Sequence, residues 1–111
     1  MDFDEYQKLA SRTANFTGKQ AEYALAYLGL GVAGEAGEVV EKIKKIIRND
    51  NGVVTPERRE ELKREMGDVL WYLSQLARHL DISFSDIAKI NIEKLADRAK
   101  RNVIASEGDN R

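Results

Sequence analysis

The chain has 111 residues, enough for one domain around one modest core. Its 18 basic and 19 acidic residues nearly cancel, so the basic excess of a nucleic-acid-binding surface is missing. With no Cys, disulfides, thiol catalysis and Cys-based zinc sites are excluded, and the single His79 leaves little room for a His-built metal site. The opening segment Met1-Asp2-Phe3-Asp4-Glu5-Tyr6-Gln7 is acidic and has no apolar core, unlike a signal peptide. No apolar run is long enough to span a bilayer, and a cytoplasmic location is expected by default.

A single Pro and a third of the residues charged point to an all-α chain, and four main helices are legible. The first is expected from about Asp4 to Ala14, capped by Asp2 with Glu5 and carrying Phe3, Tyr6, Leu9 and Ala10 on one side. Asn15-Phe16-Thr17-Gly18 ends it. The second is expected from about Gln20 to Arg48. Gly29, Gly31, Gly34 and Gly37 lie inside it, and each costs roughly 0.5–1 kcal/mol relative to Ala, so a bend or break is expected near Gly29–Gly31. Its apolar face is Leu28, Val32, Ala36, Val39, Val40, Ile43, Ile46 and Ile47.

Asn49-Asp50-Asn51-Gly52 is a turn. Thr55 then caps the third helix, with Pro56 at its first position, and the helix runs to about Leu80. Leu62, Met66, Val69, Leu70, Tyr72, Leu73, Leu76, Ala77 and Leu80 make its apolar arc. Trp71 points away from that arc, which suggests a subunit interface ahead of a base-stacking surface. Ser83 with Asp86 opens the fourth helix, which runs to about Lys100 and buries Phe84, Ile87, Ala88, Ile90, Leu95 and Ala99. The domain is expected to span residues 1–104, followed by a polar tail, 105–111.

The informative charges are those on apolar faces. At about 100° per residue, Glu65 falls inside the arc of the third helix, with Asp68 at its edge one turn away and Glu61 beside it. A carboxylate buried alone is costly, so Glu65 needs a partner, and the plainer account is an intramolecular salt bridge or a hydrogen-bonded core Glu. Glu35 lies at the border of the second helix's apolar face and Glu38 just beyond it, on a flank shared with Lys42 and Lys45. A solvated Glu38–Lys42 pair is the plainer account of that flank. On the fourth helix Asn91, Lys94 and Arg98 fall on the buried side, where they either neutralise these acids or meet an anionic ligand.

Two helices thus each offer acids three residues apart, on one face. Oxygen-only ligands favour Mg²⁺, or Mn²⁺, over Zn²⁺. Mg²⁺ is commonly shared between carboxylates and substrate phosphates, and Lys and Arg, Lys45 among them, are candidates for substrate contact. A di-iron bundle would require Glu-x-x-His, and the residue three before His79 is Leu76.

Gly34-Glu35-Ala36-Gly37-Glu38, followed by Glu65-Met66-Gly67-Asp68-Val69-Leu70-Trp71-Tyr72, resembles the MazG-like nucleotide pyrophosphohydrolases of the all-α NTP pyrophosphatase superfamily. The superfamily's mark is E-x-x-E on one helix and E-x-x-D on the next, and the resemblance extends from about Tyr6 to Arg98. It implies a helical bundle assembled as a homodimer or homotetramer. It also implies Mg²⁺-dependent hydrolysis of an NTP or dNTP to monophosphate and pyrophosphate, in a nucleotide house-cleaning role. Glu35, Glu38, Glu65 and Asp68 match the family's metal ligands, with Glu35 or Glu38 serving as base. Asn91, Lys94 and Arg98 match positions of phosphate or sugar contact. Phe16 is a candidate for base contact, and His79 is given no catalytic role. A dUTP- or dCTP-preferring enzyme, or one acting on a phosphoribosyl adenine nucleotide, fits the same superfamily. The competing reading is a helical interaction or regulatory module whose acid pairs are structural.

Overall fold

The computed structural model describes residues 1–101, which are helical with no strand among them; the polar tail and the proposed boundary at residue 104 lie outside the described residues. Helix α1 is Phe3–Ala10, continued by a 3₁₀ turn, Ser11–Thr13. A short α2, Gly18–Glu22, precedes the long α3, Ala24–Asn49. Helices α4, Pro56–His79, and α5, Phe84–Lys100, complete the chain. The second expected helix is therefore two. It breaks at Tyr23 (φ −110°, ψ 36°), whereas Gly29, Gly31, Gly34 and Gly37 all lie within uninterrupted α3.

The starts of α1, α4 and α5 follow from hydroxyl and carboxylate caps. Glu5 N donates to Asp2 Oδ1 (2.8 Å), Arg58 N to Thr55 Oγ1 (3.2 Å) and Asp86 N to Ser83 Oγ (3.2 Å). Helix α4 ends on Asp81 in the left-handed region (φ 58°), where Ile82 N reaches Ala77 O (2.8 Å) and Asp81 N reaches Arg78 O (3.0 Å). That is a Schellman stop with Asp in the place usually held by Gly.

Helices α3 and α4 form an antiparallel hairpin, the main packing unit of the chain. At its closed end Arg58 Nε donates to Asp50 Oδ2 (2.7 Å) and Arg58 Nη1 to Glu61 Oε2 (3.1 Å). Glu61 also receives Lys42 Nζ (3.6 Å), so Lys42 serves a cross-helix pair and not the Glu38 pairing expected from the i,i+4 spacing. Midway, Tyr72 lies flat on the α3 backbone at Gly31, where an added Cβ would overlap its ring. Among the glycines of α3 and α4 this is the one where an added side chain would meet a neighbour.

Helix α1 lies across the open end. Gln7 Nε2 donates to Ser74 O and Ile82 O (both 3.1 Å), and its Oε1 accepts from Phe84 N (3.3 Å). Phe84 packs against Phe3 and Tyr6, with ring centroids 5.2 and 6.2 Å away. The core is small: Ala10, Leu28, Ile46, Ala77 and Phe84 are its buried apolar residues. Much of the expected apolar surface is bare. Val40, Ile43 and Ile47 on α3, Met66, Leu73 and Leu80 on α4, and Ile87, Ile90 and Leu95 on α5 are exposed.

Candidate metal centre

The antiparallel α3–α4 register places opposite one another residues far apart in the chain, with separations that widen away from the connecting turn. Lys42 faces Glu61, Gly31 faces Tyr72, and between these two layers Glu35 meets Glu65 and Asp68. One carboxylate oxygen from each of Glu35, Glu65 and Asp68 lies within 4.8 Å of the others. Glu35 and Glu65 are half-buried, and Asp68 is exposed. The three acids belong to two helices held at fixed spacing by the Tyr72–Gly31 contact one turn away.

Nothing basic in the described chain neutralises this cluster. The ion pairs among the described residues join Lys42, Lys44, Arg58, Lys63 and Arg101 to Glu61, Glu41, Asp50, Glu60 and Asp97, and none reaches Glu35, Glu65 or Asp68. Partial burial, then the negative charges of Asp68, Glu65 and Glu38, raise the Glu35 carboxyl above its ordinary value. The same field reaches the tyrosines. Burial and Asp68 raise Tyr6, while burial, a hydrogen bond with Tyr27, and the charges of Glu35 and Asp68 raise Tyr72. The partner that a half-buried Glu65 requires is thus not a side-chain cation. Three converging carboxylates with no counter-charge are a donor set suited to a hard divalent cation.

The remaining predicted residues are distributed as follows. Glu38, one turn beyond Glu35 on α3, is exposed; it stands outside the three-acid group but close enough for its charge to act on Glu35. Lys45 is half-buried on α3 and enters no ion pair among the described residues. Asn91 and Lys94 are exposed on α5. Arg98 is buried, and its Nε and Nη2 have no hydrogen-bond partner among the described residues. No hydrogen bond or ion pair among the described residues joins Asn91, Lys94 or Arg98 to the three acids.

Trp71 corrects an expectation. It is not a free outer surface: Nε1 donates to Ala10 O and Thr13 Oγ1 (both 3.2 Å), and the ring meets Phe16 edge-on at 6.1 Å. The segment joining α1 to α2 folds back over α4 and covers it. Sequence reasoning passed over the aromatic row that results: Phe16 with Tyr27 (5.5 Å), Phe16 with Trp71, and Trp71 with Tyr72 (5.0 Å). The aromatic content around Phe16 and Trp71 was the available signal, but their meeting depends on where the loop lands.

Comparison with known proteins agrees with this geometry. Residues 24–103, which contain all three acids, match the family model for the MazG nucleotide pyrophosphohydrolase domain. The chain is also 45% identical over 114 residues to the Gene 37 protein of Mycobacterium phage L5, with the whole of both chains covered. No solved structure matches the chain.

Proposed function

The chain belongs to the MazG nucleotide pyrophosphohydrolase family, and we propose that it hydrolyses a nucleoside or deoxynucleoside triphosphate to the monophosphate and pyrophosphate, using Mg²⁺, with Mn²⁺ as a substitute. The observation that carries this reading is the convergence of Glu35, Glu65 and Asp68 with no cation of the described chain among them. Glu38 joins them as a fourth ligand from the next turn of α3. Bound Mg²⁺ supplies neutralisation of the triphosphate and of the leaving pyrophosphate.

The chain's own residues do the rest. Glu35, half-buried within the three-acid group, accepts the proton of the attacking water. Glu38, exposed on the same flank, is the alternative base. Arg98, whose buried Nε and Nη2 lack partners among the described residues, supports an anionic acceptor, and a phosphate oxygen suits its planar fork. Lys45 and Lys94 add charge for the phosphates, and Asn91 contacts phosphate or sugar. The role is nucleotide-pool house-cleaning.

The working unit is a homodimer or homotetramer. Val40, Ile43 and Ile47 repeat at helical spacing along α3 and stay exposed, as do Ile87, Ile90 and Leu95 on α5. Apolar stripes of this kind are characteristic of subunit contacts. The partners are a nucleotide and further copies of the chain, not nucleic acid or membrane; no helix among the described residues is long and apolar enough to cross a membrane. A cytoplasmic location accords with that reaction.

The decisive experiment is pyrophosphate release from a panel of NTPs and dNTPs, with Mg²⁺ and with EDTA, beside Glu38→Gln. Mg²⁺-dependent release that the variant loses is the expected result. No release from any nucleotide by folded protein, with no thermal shift on adding Mg²⁺, would make the acid pairs structural and the chain an interaction module.

A further inference from the structure

Two cavities compete for attention at the open end of the hairpin. The larger, about 450 Å³, is lined by Asp4, Gln7, Arg78, Asp81, Ile82 and Ser83. Its Asp4, Gln7 and Ser83 side chains are committed to the fold. Asp4 accepts from Ser83 Oγ (2.8 Å) and Ser85 N (3.0 Å), and Gln7 bridges α4 and α5. It is a joint between helices.

The second cavity, about 350 Å³, is lined by Phe16, Ala24, Leu28, Gln75, Arg78 and His79. Its composition is different. Leu28 and Ala24 form an apolar wall, and the half-buried Phe16 offers a flat ring. Gln75 is only 3% exposed, its Nε2 donates to Ser74 Oγ (3.2 Å), and no hydrogen bond among the described residues reaches its Oε1. A slot with an apolar wall, one aromatic face and one buried amide, edged by the exposed Arg78 and His79, suits a planar heterocycle: the ring stacks, and the amide both donates and accepts at the heterocycle's edge.

Its position gives the slot a specific occupant. Leu28 precedes Glu35 by seven residues on α3, and Gln75 follows Asp68 by seven on α4. Seven residues are two helical turns, about 10 Å. The slot and the three acids therefore lie on one seam, separated by the single layer in which Tyr72 rests on Gly31. That separation is of the order spanned by a sugar and its first phosphates. We infer that the slot beneath Phe16 is the nucleobase subsite, with Phe16 stacking on the base and the Gln75 amide reading its edge. The inference rests on the nucleotide reading above and extends it to where base preference is set.

The test separates the two. The chain has a single Trp, and Trp71 touches Phe16, so its fluorescence reports on the slot without turnover. Wild type, Phe16→Leu and Gln75→Leu are assayed for pyrophosphate release across the nucleotide panel and for Trp71 emission on adding metal-free nucleosides. Phe16→Leu is expected to raise KM about 10-fold for every nucleotide with kcat little changed. Gln75→Leu is expected to narrow the kcat/KM ratio between best and worst base about 10-fold. Nucleosides are expected to change wild-type emission, with the change lost in Phe16→Leu. Should the buried Gln75→Leu fail to fold, Phe16→Leu and the wild-type titration decide. Turnover with KM and base ranking unchanged in the folded variants overturns the subsite and leaves the reaction intact. Base-dependent emission without turnover retains the subsite and removes the reaction. Emission unmoved by any nucleoside or nucleotide overturns the subsite outright.

Discussion

Helices α4 and α5 start alike and end differently. Each opens on a hydroxyl cap, Thr55 or Ser83, and each carries an apolar stripe at helical spacing. More of the α4 stripe is covered: Ala77 is buried, and Leu62, Val69, Leu70, Tyr72 and Leu76 are half-buried, against α3 and α1, while Met66, Leu73 and Leu80 stay exposed. On α5 only Phe84 and Arg98 are buried, while Ile87, Ile90 and Leu95 face outward. The contrast shows that apolar periodicity announces a face to be covered without saying what covers it. For α4 the cover is the chain's own α3; for α5 it is the further copies of the chain proposed above.

Mutations should separate the two helices sharply. The largest effect belongs to the acid cluster on the α3–α4 seam. Asp68→Asn should lower pyrophosphate release at least ~100-fold, since loss of supporting partners alone costs about that at metal sites, with helix content by circular dichroism unchanged. Next, Leu28→Ala, at a 2% exposed position, should cost about 2–5 kcal/mol in denaturant unfolding. On α5, Ile90→Ala should stay within about 0.5 kcal/mol at protein concentrations low enough for monomers, and a larger loss that grows with concentration would identify a covering subunit.

Gly31→Ala tests the spacer that holds the hairpin register. The added methyl must displace the Tyr72 ring, and overpacking of this kind costs about 1–3 kcal/mol, read as a lower urea midpoint. Thr55→Ala removes the α4 cap and should cost about 1 kcal/mol by the same measurement. The smallest effect lies at the α1–α5 joint. Bonds from Ser85 N and then Ser83 Oγ hold the Asp4 carboxyl below its ordinary value of 3.8. Its contribution is therefore complete above that value and is lost as pH falls through the lower folded-state value. Urea midpoints of wild type and Asp4→Asn should differ at about pH 6, and the difference should shrink as pH falls below 3.8.

The residues show why some of this was legible beforehand. Asp2, Thr55 and Ser83 cap helices through bonds to residues three positions away, so local spacing was enough. The acid pairs were visible for the same reason. The break at Tyr23 was not, because glycine propensity pointed to Gly29–Gly31 while packing on Tyr72 keeps α3 continuous there. Lys42 chose Glu61 over Glu38, a partner nineteen positions away brought in by the hairpin. Trp71 was expected at a subunit surface and is instead covered by Phe16 and the 3₁₀ turn.

By itself, then, the sequence determined the helices, their caps, the two acid pairs and the family they resemble, since all of these are written within a turn or two of the chain. Tertiary structure alone decided that Glu35, Glu65 and Asp68 converge, that Phe16 closes a slot two turns away, and which apolar stripe stays bare. Those outcomes depend on the register between α3 and α4, and that register is set by side-chain fit across the seam, above all Tyr72 on Gly31, which no local periodicity encodes.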